Sequence, residues 1–265
     1  MNQALYLYAI TEARPRYRVN QHGLEGGTPF CLECGELAAV VSPRDGDGPV
    51  PLNIDLALRH EAVVEELSRE LATLPVRFGT LVRDEAVLAD LLSSRADACK
   101  EALDRVRGHV ELGLLALSGE EEPPTSQPPG SGREYLLGRL QEERRLDARR
   151  SRAQLEFATL FDVVRALAVD STLRISPTRK LLLSAAFLVD RERVDAFARE
   201  VRRLQEEHGS LSFVCTGPWP AYSFVGEVLS AVTLGTEDEA SRRPVRPRRP
   251  RLRSETSSKK ADSYV

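Results

Sequence analysis

The stretch "LLLSAAFLVDRERVDAFAREVRRLQEEHGSLSFVCTGPWPAYSF", residues 181–224, carries the pattern that decides the fold. Residues 181–190 are apolar almost throughout, which suits a central strand. Asp190 is placed to cap a helix whose apolar positions Val194, Phe197, Val201 and Leu204 recur at helical spacing, and Gly209 is placed to end it. "SLSFVC" follows as a second strand and runs directly into "TGPWPAYSF", residues 216–224, where the only tryptophan of the chain stands between two prolines. Proline fixes its own φ and pushes the preceding residue toward extended conformations, so Gly217 and Trp219 lie in a stiff segment that holds the indole in one direction. Such a segment is a packing or docking device rather than a catalytic loop.

The same unit occurs once before. "ALYLYAI", 4–10, is a strand, and after a Gly-rich, charged loop to about Thr28, "PFCLECGELAAVVSPR" gives one or two more. "RDGDGPVP" is a linker by composition. Ile54, Leu58, Ala62, Val63, Leu67, Leu71 and Leu74 then recur at helical spacing, and the helix stops before Pro75. "PVRFGTLV" is a strand. Asp84 caps a helix buried along Leu88, Leu91, Leu92, Cys99, Leu103 and Val106 and closed by Gly108, and "VELGLLAL", 110–117, returns as a strand. Residues 118–132, "SGEEEPPTSQPPGSG", hold no apolar anchor and form the best boundary in the chain. A long helical region follows from about Arg133 to Val169, charged nearly all round at "EERRLDARRSR".

These units predict an α+β protein of the ferredoxin-like kind, with helices on one face of an antiparallel sheet. The expected organisation is an N-terminal ferredoxin-like domain over 1–117, a Pro/Gly/Ser/Glu linker over 118–132, a C-terminal α+β domain with a long helical segment over 133–235, and a disordered Arg/Pro-rich tail over 236–265.

At 265 residues and 42% hydrophobic the chain can bury a sizeable core. The overall charge of −3 conceals an asymmetry: residues 241–265 hold nine Lys/Arg against Glu255 and Asp262, which leaves 28 basic and 38 acidic residues before them, a net −10. An acidic body thus carries a basic tail with little to bury. No apolar run approaches the roughly 18 residues that span a bilayer, and the start lacks a basic n-region and a cleavage site, so the expectation is a cytoplasmic protein with no membrane partner. Four cysteines are too sparse for a secreted disulfide scaffold.

Motifs for catalysis are missing from the sequence. "HGLEGG" lacks the Lys-Ser/Thr of a P-loop and the strand-to-helix setting of a dinucleotide fold, and none of the four histidines sits in a nucleophile motif. "CLEC", Cys31 to Cys34, has metal-like spacing but no second pair, so buried or half-buried thiols are expected and no metal or other cofactor is assigned. A ferredoxin-like sheet that binds RNA displays aromatics on central strands and a basic surface. Tyr6, Tyr8 and Phe78 supply aromatics, but the acidic body argues against nucleic acid.

Three stretches together, "LYLYAI" at 5–10, "LPVRFGTLVRDEAVLADLL" at 74–92 and "SAAFLVDRERVDAFAREVRRL" at 184–204 with "TGPWPAYSFV" at 216–225, resemble the gas vesicle accessory proteins of the GvpF/GvpL family. "ELAAVVSP", "VELGLLAL" and "GREYLLGRL" extend the resemblance over most of residues 4–226, while the arginine-rich tail and "CLEC" depart from it. The resemblance implies a two-domain α+β protein with a ferredoxin-like N-terminal domain. It also implies a non-enzymatic accessory or minor structural protein that binds the hydrophobic shell protein and other accessory proteins as gas vesicles are built in the cytoplasm. The rival expectation is a ferredoxin-like, ligand-binding regulatory module.

Five residues are singled out as partner-docking or interdomain contacts. In "PVRFGT", alternation puts Val76 and Phe78 on one face and Arg77 on the other, with Phe78 in the core and Arg77 in search of a carboxylate, a carbonyl or a ring. In the proline-rich segment they are Trp219, Tyr222 and Phe224, the indole being expected as an internal anchor.

Overall fold

The computed structural model describes residues 4–14, 17–44, 48–118, 131–174, 181–207 and 211–226. These form two antiparallel sheets. The first is built from β1 (Ala4–Glu12), β2 (Phe30–Cys34), β3 (Leu37–Arg44), β4 (Thr73–Pro75) and β5 (Leu81–Val82), in the order β2-β3-β1-β4 with β5 also paired to β1. Its helices are α1 (Ile54–Glu70), α2 (Glu85–Ser94) and α3 (Ala96–Val106). The second contains β6 (His109–Ser118), β7 (Asp170–Arg174), β8 (Leu181–Asp190) and β9 (Leu211–Trp219), in the order β7-β8-β6-β9, with α4 (Gly132–Arg165) and α5 (Val194–Glu207).

The second sheet runs strand, helix, strand, strand, helix, strand, with every neighbouring pair antiparallel, which is the ferredoxin-like arrangement. The first sheet has the same strand order, but the loop between β1 and β2 replaces the first crossover helix. Both central strands are apolar on both faces because both faces are covered. On β1, Leu5, Leu7 and Ile10 point to α2 and α3, whereas Tyr6, Tyr8 and Ala9 point to α1. The consecutive Tyr8 and Ala9 share a face because the register with β3 shifts between Leu7 and Ala9, a local bulge. On β8, Ala185, Phe187 and Val189 pack with Val164 of α4 and Phe197, Val201 and Leu204 of α5, while Ala186 and Leu188 meet the core of the first sheet.

Helix ends follow the expected chemistry. Asn53 and Asp84 accept hydrogen bonds from the backbone N–H of Asp55 and Val87, at 2.7 and 2.9 Å. Asp190 accepts from Glu192 N–H at 2.9 Å and caps the single 3₁₀ turn that leads into α5.

Several local expectations change. "PVRFGTLV" is two short strands rather than one, because the chain turns at 76–80: Gly79 has φ +89 and its N–H donates to the Tyr6 hydroxyl at 3.1 Å. The helix expected after Asp84 breaks at Arg95 into α2 and α3. Helices cover both faces of the first sheet rather than one. β6, grouped by composition with the first 117 residues, is hydrogen-bonded to β8 and β9 in the second sheet. Of the linker expected over 118–132, Ser118 ends β6, Ser131 caps α4 and Gly132 begins it, while its residues 119–130, the helix stop at Gly209 and the tail at 236–265 lie outside the described residues.

Candidate functional site

β9 ends in the proline-rich segment, and that segment becomes a strap. Trp219 pairs with Glu111 at the start of β6, and beyond it Tyr222–Phe224 form one 3₁₀ turn. Ala221, Phe224 and Val225 are buried in the first sheet's core with Leu5, Leu88 and Val106. The strap thus leaves the edge of the second sheet and inserts its apolar residues into the core of the first. Gly217 has φ +108, and a Cβ there would stand 2.7 Å from the Glu111 carbonyl oxygen, so only glycine lets the strap pass that close to β6.

Two carboxylates hold the strap. Glu111 accepts from the Ser223 N–H at 2.8 Å and from its hydroxyl at 2.7 Å. Glu61 on α1 accepts from the Tyr222 hydroxyl at 3.0 Å. Burial pushes the Glu61 carboxyl and the Tyr222 phenol up, the latter reinforced by the Glu61 charge. Neither Glu61 nor Glu111 has a sequence pattern to mark it, since each is one acidic residue among many on an amphipathic element.

Beneath the strap lies a buried polar cluster. His60 on α1 is 2% exposed. Its Nε2 donates to the Val76 carbonyl at 3.0 Å, and in the neutral ring that burial favours its Nδ1 accepts from the Tyr6 hydroxyl at 2.8 Å. Burial lowers its pKa to about 4. The Tyr8 hydroxyl accepts from Leu24 N–H at 2.8 Å and donates to Ser42 Oγ at 3.0 Å. Nearby, the buried carboxylate of Glu66 accepts from the N–H groups of Asn20 and Gln21 and ties the loop between β1 and β2 to α1. Tyr6 and Tyr8 are fully buried, so neither ring is open to stack on a base.

Of the five singled-out residues, Phe78 and Tyr222 lie on the α1 side of the first sheet and Phe224 in the core on its α2 and α3 side. Phe224 is core, and Tyr222 is half-buried against α1. Phe78 is half-buried, its ring 5.9 Å from His60 and 6.4 Å from Tyr6. Arg77 stands exposed in the 76–80 turn, where strand alternation does not hold: Val76 packs on the α2 and α3 side and Phe78 on the α1 side, so the two do not share the one face expected of them. The internal anchor expected of Trp219 is not what the geometry gives: the indole is 48% exposed. It rims a small groove of about 80 Å³ whose other walls include Arg69, Leu71, His109 and Arg191. The prolines orient the ring outward while the residues behind it go in.

Cys31 and Cys34 sit three apart on β2, hence on opposite faces of the sheet. Cys31 packs on the α1 side, and Cys34 packs on the α2 side with its thiol near Ala89 and Ser93. One ion cannot bind both. Among the described residues no cluster of three or more His, Cys, Asp or Glu is placed to hold a metal, and no helix is long and apolar enough to cross a membrane.

A second exposed feature is the first half of α4. Tyr135, Leu136, Leu137 and Leu140 are between 49% and 63% exposed, although a helix in water ordinarily turns its leucines inward.

Solved structures share this fold: gas vesicle protein GvpF of an Anabaena species aligns with a TM-score of 0.68 at 20% identity, covering 84% of this chain and 98% of that one. GvpF of Microcystis aeruginosa gives 0.66 at 19% identity, covering 84% and 99%. In sequence, the chain is 32% identical over 249 residues to gas vesicle protein L of a Streptomyces species, covering 83% of this chain and 92% of that protein. It is 25% identical over 230 residues to gas vesicle protein F of Haloferax mediterranei, covering 85% and 94%. The family model described as gas vesicle synthesis protein GvpL/GvpF matches residues 4–226, from the first strand through the strap, and the chain belongs to that family.

Proposed function

We propose that this protein works without catalysis, as an assembly factor that binds the hydrophobic gas vesicle shell protein and other accessory proteins while vesicles are built in the cytoplasm. Family membership across both sheets carries the reading. The exposed row on α4 and the outward indole of Trp219 support it, because an unassembled shell protein presents apolar surface that aggregates unless covered. Arg77, exposed beside Phe78, is the accompanying polar contact in this reading, and Tyr222 and Phe224 hold the strap that presents the indole.

The test is co-purification of the full chain with shell protein. Leu136→Lys combined with Leu140→Lys is expected to weaken capture while leaving the melting temperature unchanged, since both side chains face solvent. Undiminished capture by both this variant and Trp219→Ala removes these surfaces from the reading. A thermal shift with a small metabolite and no capture of shell protein favours the ligand-binding module instead. The groove at Trp219 is far smaller than the roughly 300 Å³ at which ligand pockets begin, so such a module would bind instead at one of the two depressions of about 510 Å³ beside α4, near Val163 and Arg199 or near Phe161 and Ser171.

A further inference from the structure

Edge strands are normally blunted by charge, proline, bulges or shortness, because an open edge pairs with other chains. Three of the described edges follow that rule. β2 carries Glu33, β7 carries Asp170 and Arg174, and β4 and β5 are three and two residues long. β9 does not. Its nine residues, "LSFVCTGPW", contain no charge, and proline enters only at position 218. Among the described residues β9 pairs with β6 alone. Gln205 of α5 accepts from the Phe213 N–H at 2.5 Å, which shows that this N–H points away from β6. By the two-residue period of a strand, the main-chain groups of Cys215 point the same way. Val214 and Cys215 are exposed.

We propose that β9 is a self-association edge that pairs antiparallel with β9 of a second copy, about a two-fold axis at Cys215. Charge selects the occupant: β9 is the only described edge longer than three residues that can lie against β9 without placing a charged side chain in the new ladder. Symmetry selects it too, because β9 paired with β7 of another copy leaves free edges at both ends and propagates, whereas β9 with β9 closes. The N–H of each Cys215 donates to the carbonyl of Cys215 of the second copy, and the two second sheets become one eight-stranded sheet. The two thiols then lie within the Cα separation that a disulfide spans.

Sedimentation velocity of the full chain from about 1 µM to about 500 µM is expected to show a reversible monomer–dimer equilibrium. Cys215→Ser keeps the main-chain hydrogen bonds and is expected to dimerise as wild type. Cys215→Pro removes an N–H that faces outward, at a position where an edge strand accepts proline, and is expected to lower the association constant at least tenfold. Should that variant fail to fold, Cys215→Lys provides the same readout by placing a charge at the edge. Mild copper–phenanthroline oxidation is expected to yield a 215–215 disulfide by peptide mapping, absent in Cys215→Ser. A monomer at every concentration overturns the proposal. So does wild-type dimerisation by a folded Cys215→Pro or Cys215→Lys variant, loss of the dimer in Cys215→Ser, or cross-linked dimers that lack Cys215.

Discussion

The buried imidazole of His60 makes acid stability a direct test of the cluster under the strap. In the folded chain burial holds its pKa to about 4, while in the unfolded chain it lies near its ordinary 6.5. Between those values the unfolded state binds more protons, so His60 contributes stability that is complete above about pH 6.5 and is lost as pH falls toward 4. At about 1.4 kcal/mol per unit of separation, acidification from pH 7 to pH 5 removes about 2 kcal/mol. For a chain of this size that corresponds to roughly 4 to 8 °C in melting temperature. Glu61 acts in the opposite sense, since its raised carboxyl pKa favours the native state at low pH and that contribution fades as pH rises through the folded value. His60→Gln separates the two, because the amide can accept from Tyr6 and donate to Val76 but does not titrate. The assay is denaturant melts of both proteins at half-unit steps from pH 7 to 5. The gap between them is expected to narrow by about 2 kcal/mol across the series. A constant gap refutes the neutral, buried imidazole.

Phe224→Ala is expected to cost about 4 kcal/mol, from on the order of 160 Å² of buried aromatic surface at ~25 cal/mol per Å². Trp219→Ala, with half its indole already in water, is expected to cost about 2 kcal/mol, and equal losses for the two in denaturant melts contradict the strap geometry. Gly217→Ala is expected to lower the melting temperature by more than Trp219→Ala does, since it adds a positive-φ penalty to a clash with a backbone oxygen; a neutral result in calorimetry is incompatible with the passage beside β6. Protein purified without added metal is expected to hold no stoichiometric zinc, and about one zinc per chain, lost on Cys31→Ser, contradicts the opposed thiols.

The elements were largely legible in sequence because their signals are local. The helical stripe of Val194, Phe197, Val201 and Leu204 and the Asp190 cap stand where periodicity puts them, and the continuous apolar runs of β1 and β8 mark central strands, although helices were expected on one face of the sheet only. Partnership between elements was not legible. "VELGLLAL" looks the same whether it closes the first sheet or opens the second, and only its hydrogen bonds to β8 and β9 settle that. The clasps were invisible for a related reason. Glu61, Glu66 and Glu111 are ordinary acidic residues in sequence, and they differ from their neighbours only in being aimed at hydroxyl and N–H groups 45 to 161 residues away. The outward turn of Trp219 depends on where the chain goes after Pro220, which no local rule fixes.

That outward turn follows from the same constraint that secures the strap. Ser223 must reach Glu111 on β6 and Tyr222 must reach Glu61 on α1, while Ala221, Phe224 and Val225 enter the first core. With those residues committed inward and Pro218 and Pro220 limiting the backbone between them, the side chain at 219 has only the rim left. The strap therefore divides its work along its length: its second half joins the two sheets, and its first half displays an aromatic ring whose orientation was fixed before any partner arrives. A side chain ordered in advance pays less conformational entropy on contact than a mobile one. Under the proposed function, stability and binding are expected to separate within six residues, with Phe224 governing the first and Trp219 the second.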